Sequence, residues 1–327
     1  MLRLARILLV VVVGWLLLRL LRSVDWSEVA YALTHLEIWQ MVALLAAVAV
    51  RRFVLAAPLA LFIPGLGQLR AMVNDVAAAA VATLTPSPGD VVLRLAMIRS
   101  WGIDATNAAS GLTLSTVLFY VARLAAPVLG FLTFWAGRSF YAPFGWAAFV
   151  FGAGAAVLLV GLLYALRAER SAAAVGRLLG HALRRVRPAS TGPDAWAQRL
   201  TDFQAHSARN VRSQGLLAGL SLVGVVVTET AVFVLCLAFV GVPLDRADLL
   251  VVACSFLVIY PLTGLPLMGA GILDATYAAF VSSHSDLDAT SLVAGLLVWR
   301  VAVQVLPVVV GLSTIAWWRR TEAVRYR

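Results

Sequence analysis

What most constrains this chain is a series of long apolar runs, separated by short segments that carry most of its arginine. Several runs reach the roughly 20 residues needed to cross about 30 Å of hydrocarbon. The chain is 62% hydrophobic and 13% charged, with a mean hydropathy of +0.92. A soluble domain of 327 residues has no interior large enough to hide that surface, whereas a bilayer solvates it directly. The chain therefore reads as an all-α polytopic membrane protein, a single integral membrane domain over residues 1–327.

Full transmembrane helices are expected at 4–21, 38–63, 107–135, 143–166, 214–240 and 290–317. The first resembles a signal peptide, with Arg3 and Arg6 ahead of the apolar stretch. Leu20, Leu21 and Arg22 stand where a small-residue cleavage site belongs, so a retained span is expected. Arg51 and Arg52 interrupt the second run and are expected at its cytoplasmic end, ahead of a helix near the interface.

Two segments read differently. In 71–103, the apolar pieces 71–84 and 91–101 flank Pro86, Ser87, Pro88, Gly89 and Asp90. Each piece is too short to span, and the prolines restrict their own and the preceding residues. In 249–283 the same short–break–short pattern recurs around Pro261 to Pro266 and Gly269 to Gly271. Both segments are expected to be re-entrant helical hairpins, which a membrane tolerates only where they are buried or line a cavity.

Charge placement orients the chain. All 26 basic residues are Arg, and the net charge of +10 raises the question of nucleic acid. Their position between apolar runs assigns them to membrane topology instead, and no nucleic-acid partner is expected. Segment 167–212 holds nine Arg against three acids, and is expected to be cytoplasmic, with helices lying on the membrane surface. The segments expected outside, including the loops near 138 and 286, carry Arg22, Arg138 and Arg246 against seven acids. Both termini then fall in the cytoplasm of a bacterial inner membrane, with Arg325 and Arg327 at the C-terminal end.

This order contains a symmetry. Span, span, hairpin, span fills residues 1–142, and the same order fills 143–327 with the opposite orientation. An inverted repeat whose broken helices meet at mid-membrane is a recurring transporter design. Asp-Ala-Thr opens the span after each hairpin, at 104–106 and 288–290, and an Asp lies 14 residues before each, at Asp90 and Asp274.

Ionisable groups inside a bilayer are costly, so each needs a partner, water or a purpose. The candidates are Asp75, Asp90, Arg94, Arg123, Glu229, Asp274 and Arg300. Asp90 and Arg94 stand four apart on one helix and are spaced to pair. Arg suits phosphate because its planar fork donates two parallel hydrogen bonds and stays charged. Helices starting at Gly89 and Gly271 would offer free N–H groups to an anion. Glu229 and Asp75 are candidates for coupling. The plainer reading makes Glu229 a protonated group bonded to a neighbouring helix, leaves Asn74 and Asp75 bonding the hairpin backbone, and pairs the charges to fix packing.

Enzyme motifs are missing: there is no His-Glu-x-x-His, nucleophile elbow, P-loop or paired Asp-x-Asp. His35, His181, His206 and His284 lie too far apart for a local ligand cluster. Cys236 and Cys254 sit in apolar runs as small packing residues. Neither enzyme activity nor a cofactor is expected.

At the hairpins the sequence resembles the flippase-like transmembrane domain of lysylphosphatidylglycerol synthases, which also occurs without the synthase domain. A Pro, a Gly-acid pair and an Arg match Pro86, Gly89, Asp90 and Arg94. Pro266, Gly269, Gly271 and Asp274 match a second motif, and Arg300, Pro307 and Gly311 a third. Arg123 fits the Arg of a Glu-Arg pair, but Ala122 replaces its Glu, Asp274 stands where Glu is usual, and Ser87 or Pro88 occupies a place often held by Arg. The resemblance implies movement of a phospholipid or polyprenyl-linked lipid between leaflets, its head group held by Arg94, Arg123 and Arg300. Asp90 and Asp274 would tune the charge or meet an amine. No synthase domain is present, so lipid aminoacylation is not expected. The partner is then a membrane lipid with an anionic or phosphate-bearing head group, with homo-oligomers also open. Two alternatives stand beside transport: a non-transporting partner of a lipid or cell-envelope biosynthesis enzyme, and a membrane enzyme acting on lipid.

Overall fold

A computed structural model describes residues 36–84, 88–137, 142–167, 169–186, 192–269 and 271–321. The expected first span, Pro86 and Ser87 of the first break, the loop at 138 and the terminal Arg325 and Arg327 lie outside the described residues. Every regular element among those described is helical. The order is α1 (Ile38–Phe62), α2 (Gln68–Leu84), α3 (Gly89–Ser100), α4 (Ala105–Gly137), α5 (Ala142–Arg167) and α6 (Glu169–Val186). It continues with α7 (Pro193–Phe239), α8 (Arg246–Ile259), α9 (Ile272–His284), α10 (Ala289–Arg300) and α11 (Leu306–Thr321).

Six of these stretches are long and apolar enough to cross a membrane: α1, α4, α5, α7, Arg246–Gly264, and Ala289–Thr321, which joins α10 to α11. Five coincide with expected spans. Arg246–Gly264 was expected to be a hairpin limb too short to cross. Its helix starts earlier than the apolar run because Asp245 caps it, accepting the Asp248 N–H at 2.7 Å, and a 3-10 turn extends it to Gly264. Around the first break both limbs, α2 and α3, are short, as expected.

Segment 193–212 does not form a helix of its own. It is the first part of α7, an unbroken helix of 47 residues, about 70 Å at 1.5 Å per residue. A span uses about 20 residues, so a long polar part of α7 projects beyond the hydrocarbon. Helix α6 packs along that part through Gly176 and Gly180, where a Cβ would lie 2.5 Å from the Cα atoms of Ala197 and Pro193. Hydropathy ends where charge begins, but helical propensity does not, and Pro193 at the helix start is the last proline before Phe239.

Apolar side chains face both ways, as lipid requires. Trp146, Phe149, Val157 and Val160 of α5 are exposed, and that helix buries little besides Phe144, Ala148 and Ala155. Two of the interior clusters differ in kind. Small aliphatic residues (Ala56, Leu59, Ile63, Ala71, Ala108) fill the space where α1, α2 and α4 meet. Aromatics fill the other: Phe233 stacks on Phe256 at 4.3 Å, with Tyr277 and Trp299 edge-on to Phe233 at 5.0 and 5.9 Å.

Helix α1 packs on α7, α2 on α11, and α8 on α4. The last two contacts each close around a glycine. A Cβ at Gly311 of α11 would lie 2.4 Å from the Val76 carbonyl oxygen of α2, and one at Gly130 of α4 would lie 2.8 Å from the Cys254 carbonyl oxygen of α8. No side chain fits at either place.

Candidate functional site

Charges from four helices, α1, α2, α3 and α7, meet in one cluster. Arg51 and Arg52 are not at the end of α1: they sit in its middle, 6% and 8% exposed, inside the protein. Being consecutive, they point about 100° apart around the helix. Arg51 reaches α7 and meets Glu229, itself 1% exposed. Arg52 reaches α2 and donates to Asp75 Oδ2 at 3.1 Å.

Asp75 answers a second cation. Arg94 on α3 donates to Asp75 Oδ1 at 2.8 Å, and Asn74 Nδ2 donates to the Arg94 carbonyl oxygen at 3.1 Å. Arg94 therefore pairs across the first break and not with Asp90. A same-helix pair at this spacing contributes only about 0.2–0.5 kcal/mol, whereas a buried Asp75 facing one cation fewer would be far costlier. Asp90 is half-buried in the first turn of α3 and forms no ion pair among the described residues.

The last span supplies a backbone acceptor. Pro307 has no N–H to offer the carbonyl four residues back, that of Val303. A π-helical turn, Val301–Val305, occupies that place, and Arg52 Nη2 donates to the Val303 oxygen at 3.2 Å. Irregular turns of this kind concentrate at functional positions.

The second break is built otherwise. Met268, Gly269 and Gly271 have φ of 54°, 68° and 85°. A Cβ at Gly269 would also lie 2.8 Å from the Leu262 carbonyl oxygen. Asp274 then caps its own helix by accepting the Gly271 N–H at 2.8 Å, and it holds Arg300 through contacts of 2.8 to 3.0 Å. The Gly271 N–H expected to be open to an anion is occupied, and so is the Arg300 guanidinium.

Arg123 has a third environment. Its guanidinium lies 4.7 Å from the Phe119 ring centre and 5.8 Å from those of Tyr120 and Tyr260. A Cβ on Gly264, at the second break, would lie 3.1 Å from its Nη1. It makes no ion pair among the described residues, and its buried Nε has no hydrogen-bond partner.

The expected residues are thus brought together in three groups: Asp75 with Arg94, Asp274 with Arg300, and Arg123 near the second break. Glu229 joins the first group through Arg51. Reading the sequence missed Arg51 and Arg52 as members. The signal was present: two carboxylates in apolar runs needed cations, and two cations lay in another run. Among the described residues no group of three His, Cys, Asp or Glu side chains is placed to hold a metal ion.

No curated protein and no solved structure matches the chain. A family model described as the lysylphosphatidylglycerol synthase TM region matches residues 3–311. The match takes in all four charged helices of the centre, both breaks, and the Arg300, Pro307 and Gly311 series. The chain is a multi-pass membrane protein and belongs to the lysylphosphatidylglycerol synthase transmembrane-region family.

Proposed function

We propose that the protein is a flippase-like transporter that moves a phosphate-bearing lipid between leaflets. The observation that carries this reading is the charge balance of the centre. Across the three groups stand five guanidinium groups, of Arg51, Arg52, Arg94, Arg123 and Arg300, against three paired carboxylates, of Asp75, Glu229 and Asp274, and the half-buried Asp90. A cationic surplus in low dielectric calls for an anion, and a lipid phosphate can supply it while its tails stay in the bilayer. Asp90, with no ion pair of its own among the described residues, is left to meet an amine on the head group. Family membership agrees with a lipid-handling role.

The packing supports an inverted repeat of two halves, the second of which has a first limb, Arg246–Gly264, long enough to cross. Helix α2 of the first half meets the last span of the second, and α8 of the second half meets α4, the last span of the first. Arg123, Pro127 and Gly130 on α4 run parallel to Arg300, Pro307 and Gly311 on α10 and α11. The glycine of each series seats the opposite half. Exchange of this kind is what two related halves produce when they meet across a two-fold axis in the membrane plane. The same reading assigns the protein to a bacterial cytoplasmic membrane with both termini inside, working as a carrier and not as an enzyme.

One observation favours the competing role of a non-transporting partner for a lipid-synthesis enzyme: four of the five arginines already have carboxylate partners. Reconstitution separates the two. Proteoliposomes should translocate labelled phosphatidylglycerol or phosphatidylethanolamine faster than empty vesicles, and a phosphate-free glycosyl diacylglycerol no faster. Equal rates for every lipid with and without protein would leave the partner reading.

A further inference from the structure

The Arg51–Glu229 pair is half made. Arg51 Nε and Nη2 both meet one oxygen of Glu229, Oε2. Glu229 Oε1 and Arg51 Nη1 are buried with no hydrogen-bond partner, as is Arg52 Nε. A buried carboxylate and guanidinium normally use their full fork, and unsatisfied buried polar atoms are rare enough to require a cause. The Asp274–Arg300 pair shows the contrast, since both carboxylate oxygens are used there.

We infer that Glu229 and Arg51 form an exchangeable ion pair, which couples entry of one monoanionic lipid phosphate to uptake of one proton. The inference rests on the transport reading above and adds its driving force. A phosphate oxygen accepts from Arg51 Nη1 and displaces Glu229. The released carboxylate takes a proton from water, forming one O–H bond and becoming neutral. The Arg51–Glu229 pair holds one cation and one anion before the exchange, and one cation, one phosphate anion and a neutral acid stand there after it. Net charge is unchanged, so the low-dielectric interior adds no Coulomb penalty.

The neighbours single out this pair. Asp75 already answers Arg52 and Arg94, so protonating it would strand two cations where one phosphate arrives. Arg52 is committed to Asp75 and the Val303 carbonyl. From α10, Arg300 turns to Asp274. The remaining groups whose fields reach this pair are Tyr260 beside the second break and Cys236 on α7 itself, and Arg123 on α4 lies against Tyr260. None of them supplies a second carboxylate for Arg51.

Two measurements test it. Short-chain phosphatidylglycerol added to the purified protein in weakly buffered detergent should draw about one proton per bound lipid from solution. The E229Q protein should bind it and draw none. Because E229Q strands Arg51 and can lose its fold, the second measurement uses the wild type alone. In phosphatidylcholine vesicles with labelled phosphatidylglycerol, one unit of pH gradient should drive about a tenfold asymmetry of the probe between leaflets. An imposed membrane potential should drive none, because proton and anion move together. Binding without proton uptake, or translocation indifferent to the gradient, overturns the coupling and leaves the transport reading standing. Absence of both binding and translocation overturns both.

Discussion

Asp90 and Asp274 stand at matching places, each 14 residues before an Asp-Ala-Thr that opens the next span, yet they do different work. Asp274 closes its break: it caps Gly271, grips Arg300, and sits beside an aromatic core. Asp90 makes no ion pair among the described residues, and the charge at its break belongs to Arg94, which crosses to Asp75 and Asn74. The second break is a packed joint whose ion pair uses both carboxylate oxygens, with Arg123 Nε beside it buried and without a hydrogen-bond partner. The first is a charged joint whose surroundings, Arg51, Arg52 and Glu229, retain unsatisfied atoms. Similar sequence punctuation thus holds a closed two-residue ion pair on one side and a network around a shared carboxylate on the other.

The largest expected effect breaks the comparison from the second side. Arg300→Gln strands Asp274 against an aromatic core, and the loss should be about 3–5 kcal/mol. Thermal unfolding in detergent should show it as a large fall in Tm, and Arg300→Gln with Asp274→Asn should recover most of it. A single variant of wild-type stability would make Arg300 a substrate group after all. Next comes Arg94→Gln. Asp75 keeps Arg52, so the cost should be about 1–3 kcal/mol, that of one lost charged hydrogen-bond set. The folded variant should elute as wild type in size-exclusion chromatography.

The two aspartates sharpen the comparison further. Asp90→Asn should change stability by less than about 0.5 kcal/mol, as for a side chain outside any network. Asp274→Asn leaves the buried Arg300 guanidinium without its counter-charge and should cost about 3–5 kcal/mol. Equal effects in a denaturation series would erase the distinction between the breaks. The smallest effect concerns Asp104, which opens α4. It accepts from the N–H groups of Asn107 and Thr106, and these hold its carboxyl below the ordinary carboxylate range. Its stabilisation is whole above the unfolded value near 4 and is lost as pH falls through the lower folded value. Asp104→Ala should cost about 1 kcal/mol at neutral pH, and the difference from wild type should vanish in acid.

Much of this architecture was legible in the sequence because it depends on local properties. Apolar length gave five of the six described spans and missed Arg246–Gly264, which it read as too short to cross, while proline with glycine gave both breaks. The polar start of α7 was not legible from hydropathy, since a helix can leave the membrane without changing its backbone. The site was legible as a set of residues and not as a set of pairs. Asp75, Arg94, Asp274 and Arg300 stand out as charges in apolar surroundings. That Arg94 prefers Asp75 to Asp90 depends on α2 folding back beside α3. Arg51 and Arg52 looked like the end of a span because two adjacent arginines usually are. Their carboxylates arrive from α2 and α7, 23 and 178 residues away along the chain.

The most direct test of the division between the two breaks compares translocation of labelled phosphatidylglycerol by two variants in proteoliposomes. One is Arg94→Gln; the other is Arg300→Gln with Asp274→Asn, in which the second pair is removed without stranding a charge. The account predicts that Arg94→Gln falls to the rate of empty vesicles while the double variant keeps most of the wild-type rate. Loss in the double variant with activity retained in Arg94→Gln would contradict it.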